Sequence, residues 1–230
     1  MTSFLGFRFD EGYEVSLAKH YLAQLTPRLT TEVTAHFPQL KNSRNPNRVS
    51  GAYPWQSWYE GDDLTQGVHL TVRLEPEEAK IGVVVPNNAR RTWTALKKAL
   101  KSEQGVTELE QALVRCIDQA PSQSRPWLEL WQRHYPNRQR AVHDAELEVA
   151  LDQLLDRGGG KYNPMWWDLL RTIPETRAKY KLNYQLNYQL EIDYRISYEA
   201  KGMRDSTAEE ILKEAIRALT DVFNYMYKLA

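Results

Sequence analysis

The chain has 230 residues, 30 lysines plus arginines against 30 aspartates plus glutamates, one cysteine, seven tryptophans and thirteen tyrosines. That length buries a core without staples, and the balanced charge excludes a global field that would draw nucleic acid or anionic lipid, so any such binding must come from local patches. A lone Cys116 excludes an internal disulfide and a cysteine-rich zinc site, and neither the opening MTSFLGFRFDEGYEV nor any later run supplies a signal peptide or the ~20 apolar residues of a membrane span. A cytoplasmic protein without membrane contact is expected.

From Tyr13 to Phe37, the residues Val15, Leu17, Leu22, Leu25, Leu29 and Val33 approximate a helical period. Pro27 removes a donor within it, which predicts a helix pair or one kinked helix. PQLKNSRNPNRVSGAYPWQSWYEGDDLTQG is rich in turn-forming residues and reads as a long loop, with Lys41, Arg44 and Arg48 followed by Tyr53, Trp55, Trp58 and Tyr59. In GVHLTVRLEPEEAKIGVVVP, Val68, Leu70, Val72 and Leu74 alternate with His69, Thr71 and Arg73, and Ile81 to Val85 returns as a second strand. That is a hairpin turning at Glu-Pro-Glu-Glu. NNARRTWTALKKALKSEQG follows as a helix capped by Asn87 or Asn88 and stopped at Gly105. Further helices are predicted over roughly 107–119, 124–134 and 143–156, the last ended by RGGGKYNP, before a short aromatic helix or turn at PMWWDLLRTIP.

KYKLNYQLNYQLEIDYRISYEAK, residues 179–201, alternates without a break: Tyr, Leu, Ile and Ala at even positions, polar and charged residues at odd ones. Strand geometry gathers the apolar row on one face, whereas a helix would scatter it. The pattern predicts a long bent strand, or two strands meeting at a bulge, with one buried face and one solvated face. Ser206 and Glu209 form a capping box, and Ile211, Ala215, Ile216, Leu219, Val222 and Phe223 line a terminal amphipathic helix. The whole predicts one α+β domain over 1–230. An antiparallel sheet built from the 66–85 hairpin and the 179–201 strand carries helices on its apolar face, with a helical segment at about 107–157 between two strand–helix units.

Three chemistries follow from this pattern. Arg90, Arg91, Lys97, Lys98 and Lys101 give one helix a basic excess. Arg133, Arg138 and Arg140 lie in a second basic stretch interleaved with aromatics, and the Trp55/Trp58 loop adds contact residues. Basic side chains meet phosphates and exposed aromatics stack on bases, so these residues form a candidate nucleic-acid surface needing no cofactor. Asp193 with Glu199 and Lys201 matches the carboxylate and Glu-x-Lys set of Mg²⁺-dependent nucleases, provided the strand bends to bring them together. The long Tyr/Leu strand, finally, can complete a sheet in a protein partner or a second copy of the chain. The histidines show no metal-ligand spacing.

Taken as a unit, PWQSWYEGDDLTQGVHLTVRLEPEEAKIGVVVPNNARRTWTALKKALKSE resembles an uncharacterised domain often attached to restriction-endonuclease-like and phage-defence proteins. The closing AEEILKEAIRALTDVFNYMYKL is similar to that domain's terminal helix. The resemblance covers residues 53–104 and 207–229 and implies a nucleic-acid context without supplying a catalytic residue; the functional expectation is a non-catalytic DNA-binding or defence-accessory protein.

Overall fold

The computed structural model describes residues 4–44, 53–134, 142–155, 166, 168–171 and 186–229, with the backbone alone for 132–134, 142–146, 186 and 187. It begins with one helix, α1 (Val15–His36), which runs through Pro27 and buries Ala18, Leu22, Leu25, Leu29 and Val33 along one stripe. Two of the strands that follow, β1 (Asn42–Arg44) and β2 (Trp55–Tyr59), lie where a loop was expected. The hairpin β3 (His69–Leu74) and β4 (Glu78–Val85) forms as its alternation predicts, and leads into α2 (Arg90–Ala99) and α3 (Glu103–Asp118). Then come β5 (Ser124–His134), β6 (Val142–Ala150), the single-turn α4 (Leu151–Leu154), β7 (Leu186–Ser197), α5 (Ala208–Ala218) and α6 (Thr220–Lys228). The strands make one antiparallel sheet in the order β1-β2-β3-β4-β7-β5-β6. This is an α+β fold. No helix among the described residues is long and apolar enough to cross a membrane.

The helices cover one face of the sheet. Leu190, Ile192, Tyr194 and Ile196 of β7 join Leu70, Val72, Ile81, Val83, Leu128 and Leu130 in a hydrophobic cluster shared with α1, α3, α5 and α6. Polar tips lock this contact at two places. Trp58 Nε1 donates to Thr30 Oγ1 of α1 at 2.9 Å, and Cys116 of α3 donates its thiol to the Tyr194 hydroxyl at 3.0 Å. Burial pushes the Cys116 thiol up to about 12, so it behaves as a small apolar group.

Several expectations are overturned. Residues 124–134 and most of 143–156 are strands, not helices. Trp127, Leu128, Leu130 and Trp131 sit at i, i+1, i+3 and i+4, a spacing that mimics a helical stripe, but β5 carries apolar residues on both faces and they divide between them. The Asn87/Asn88 cap is absent: α2 starts after Ala89 without a side-chain bond. Ser206 does not cap α5 either, since Thr207 occupies that position and Asp205 instead accepts from the Thr207 backbone at 2.7 Å. Of the 179–201 alternation, 186–197 is a strand and 179–185 lies outside the described residues. β7 is bonded to β4 on one side and β5 on the other, so it presents no edge to a partner. Its odd-numbered face, expected to be wet, is buried at Glu191 and Asp193.

Candidate functional site

The sheet face opposite the helices is charged in rows. Register sets Trp55, Arg73, Lys80, Arg195 and Arg125 side by side across β2, β3, β4, β7 and β5. Four residues along β7, Glu191, Glu129 and Glu148 are neighbours on β7, β5 and β6. Between these two rows lie Thr71, Gly82, Asp193 and Trp127. Like charges directly opposite one another destabilise a sheet, and here they are offset by diagonal pairing. Arg73 reaches Glu191 at 3.0 Å, Lys80 reaches Glu129 at 3.0 Å and Arg195 reaches Glu148 at 2.6 Å. Each of these contacts spans two strands and four residues in the same diagonal direction.

That shared direction shows that the sheet curls around the cluster. Arg73 and Trp131 are three strands and six residues apart in register, about 14 Å by about 20 Å on a flat sheet. Their side chains cannot together bridge such a gap, yet the Arg73 guanidinium carbon lies 5.1 Å from the Trp131 ring centroid. The charged face is therefore concave along this diagonal. Arg195 stacks over Trp127 at 4.2 Å, and Trp131 Nε1 donates to Glu129 Oε2 at 3.0 Å, so the two indoles flank the carboxylates.

Six carboxylates share three cations here. Glu75 and Glu78 join through Lys80 at 3.4 and 3.9 Å, and Glu129, Glu148, Glu191 and Asp193 complete the set around Arg73, Lys80 and Arg195. The environments diverge accordingly. Burial works to raise the Glu129 carboxyl, but Lys80, Arg73 and Arg195 outweigh it and hold Glu129 below its ordinary value. Burial, followed by the Glu129 and Glu191 charges, pushes Asp193 well above the usual carboxylate range, and burial raises Glu191 despite Arg73. Among the described residues, both Asp193 oxygens are buried without a hydrogen-bond partner, as are both Glu191 oxygens, and Arg195 Nε stands 3.6 Å from Asp193. Oxygen atoms from Glu129, Glu191 and Asp193 all lie within 4.8 Å of one another. Gly82 makes room for them, because a Cβ there would sit 2.9 Å from both Asp193 Cβ and Glu191 Oε1.

His69 lies on the same face, in register with Val84 and so with Glu191. Burial pushes its imidazole down to about 4, against the carbonyls of Gly67 and Leu64 that favour its charge. The folded state thus holds His69 neutral where the unfolded chain, with an ordinary value near 6.5, already binds a proton. Stability is expected to fall as pH drops from about 6.5 to about 4, by about 3 kcal/mol in total. Urea melts across that range check this: His69→Gln should flatten the slope, and an unchanged slope would assign the loss to other groups.

The nuclease set is not assembled. β7 ends at Ser197, so Glu199 leaves in the following turn, where its exposed carboxylate pairs with Arg204. Lys201 is exposed too, its backbone N–H donating to Gln123 Oε1 at 2.7 Å. Asp193 instead meets Glu191 and Glu129. The nearer signal was Glu191-x-Asp193-x-Arg195 on one strand face, with opposite charge available from Arg73 and Lys80 of the hairpin. Trp58 is buried in the core rather than offered by a loop, and Trp55 is half-buried at the end of the cationic row. On α2, Arg90, Arg91 and Lys98 are exposed and Lys97 is half-buried, with Lys101 exposed just beyond, while Thr92, Trp93 and Leu96 pack inward. Arg133 lies near the end of β5, and Arg138 and Arg140 fall outside the described residues. No protein-family model, curated protein or solved structure matches the chain.

Proposed function

We propose that the chain is a cytoplasmic nucleic-acid-binding protein that grips phosphates with the basic groups at one end of its sheet. The observation that carries this reading is topological. β4 and β5 both run antiparallel to β7, hence in the same direction, and register aligns Val85 with Leu190 and Leu130. α2 begins just beyond Val85, and Arg133 lies just beyond Leu130. The basic helix α2 and the Arg133 end of β5, distant in sequence, therefore lie at the same end of the sheet. The inner face of α2 is anchored, with Trp93 Nε1 donating to the Pro86 carbonyl at 2.9 Å, so its outer cations are presented on a fixed support. The nucleic-acid context implied by the sequence resemblance agrees with this use.

Fluorescence anisotropy with short DNA and RNA probes across a salt series tests the reading. Affinity should fall steeply with salt, because cations bound at phosphates displace counterions. Arg91→Ala and Lys98→Ala should each reduce the log–log salt slope by about 1 and change stability by no more than about 0.5 kcal/mol. Flat traces at low salt would reject it.

A further inference from the structure

We propose that Glu129, Glu191 and Asp193 form a binding site for a hard divalent cation, Mg²⁺ or Mn²⁺, at the floor of the concave face. This inference does not depend on nucleic-acid binding. Two oxygens on one such ion are separated by at most about twice the metal–oxygen distance, or about 4.2 Å for Mg²⁺ and slightly more for a larger ion. The three carboxylates already meet within 4.8 Å of one another. An all-oxygen set with no thiolate or imidazole selects a hard ion over zinc or copper.

The second observation is the state of the oxygens themselves. Lys80 and Trp131 hold Glu129, and Arg73 faces Glu191 Oε1, but Asp193 is fully buried with neither oxygen hydrogen-bonded. Buried carboxylates are ordinarily satisfied; Arg73 Nε and Nη2 and Arg195 Nε are unsatisfied here as well, yet none of them bonds Asp193, and an oxygen-ligated cation between the three carboxylates would satisfy it. Charge agrees. Glu75, Glu78, Glu129, Glu148, Glu191 and Asp193 outnumber Arg73, Lys80 and Arg195 by three, a surplus offset by the proton that Asp193 retains or by a bound cation that replaces it. A divalent ion removes most of that surplus, whereas a further Lys or Arg pairing would remove one charge. The Gly82 position supplies the space, since a side chain there would occupy the region between Asp193 and Glu191.

The test uses Tb³⁺ as a luminescent stand-in for a hard cation, excited through Trp127 and Trp131, on the full chain stripped with EDTA. A saturable signal displaced by Mg²⁺ or Mn²⁺ is expected. Asp193→Asn, isosteric and uncharged, should weaken Tb³⁺ binding at least tenfold, while Glu199→Gln on the exposed turn should leave it unchanged. Circular dichroism of both variants confirms that the fold is retained. Glu191→Gln provides a second removal if Asp193→Asn does not fold. Absence of a saturable signal in the wild type, equal binding by Asp193→Asn, or displacement by Zn²⁺ alone would overturn the assignment. Because the readout involves no nucleic acid, failure of the cation site and failure of phosphate gripping are separate results.

Discussion

Glu129→Leu is expected to lower stability by about 3–5 kcal/mol, the range for removing one partner from a buried ion network. Lys80 and Arg195 both contact Glu129 Oε1, Arg73 stands 3.8 Å from Oε2, and Trp131 donates to that same oxygen. Leucine matches the volume but leaves these donors facing hydrocarbon. In urea the midpoint should fall while the slope stays constant, as for a change in stability without a change in the surface exposed. Asp193→Asn, two residues along β7 from Glu191, the register partner of Glu129, and equally buried, should be neutral or stabilising in metal-free buffer. The two variants thus separate a carboxylate that neutralises cations from one that lacks a partner.

The sign follows from how the groups titrate. Asp193 holds its proton to higher pH when folded than when unfolded, so its contribution to stability declines as pH rises above the ordinary carboxylate value near 4. The gain from Asp193→Asn should accordingly be absent below pH 4 and grow above it. Glu129 does the reverse: its folded value is lowered, and its stabilisation is lost as pH falls below the unfolded value. Equal losses from Glu129→Leu and Asp193→Asn at pH 7 would contradict this division.

Much of the architecture is legible in residue order because a two-residue period has one cheap solution. Leu190 to Ile196 and His69 to Leu74 alternate cleanly and are strands whose apolar residues lie in the core. β5 defeated that reasoning because it carries apolar residues on both faces. Trp127 and Trp131 turn to the charged side and Leu128 and Leu130 to the apolar side, so no alternation of apolar with polar survives in sequence. The charged face was legible only in part. Asp193 could be singled out as a carboxylate on a strand, but its companions depend on register: Glu129 is brought beside Glu191 by pairing across 62 positions. Nothing local distinguishes that glutamate from one on a solvated helix, and assigning 124–134 to a helix placed it there.

Gly105 is the second residue whose meaning reversed, and Gly105→Ala is expected to cost more than about 3 kcal/mol, at or beyond the top of the usual overpacking range. In sequence it reads as a helix stop. In the structure it belongs to the first turn of α3, where its N–H donates to the Ser102 cap at 3.1 Å and its carbonyl accepts from the Tyr225 hydroxyl at 3.2 Å. Alanine inside a helix normally gains about 1 kcal/mol over glycine, so propensity alone predicts a stabilised variant. Space decides otherwise. A Cβ at 105 would lie 2.2 Å from the Ala99 carbonyl oxygen and 2.6 Å from its carbonyl carbon. These are backbone atoms at the end of α2, and no rotamer change can move them. Only residues 100–102 connect the two helices, and Leu96, Leu100, Val106 and Leu109 are buried around the junction, so separating α2 from α3 opens the core on both sides. Thermal melts of Gly105→Ala and Gly105→Ser should both show the loss, the larger for serine. A rise in melting temperature for alanine would mean that the helices part at little cost, and with that the fixed support of the α2 cations would be lost.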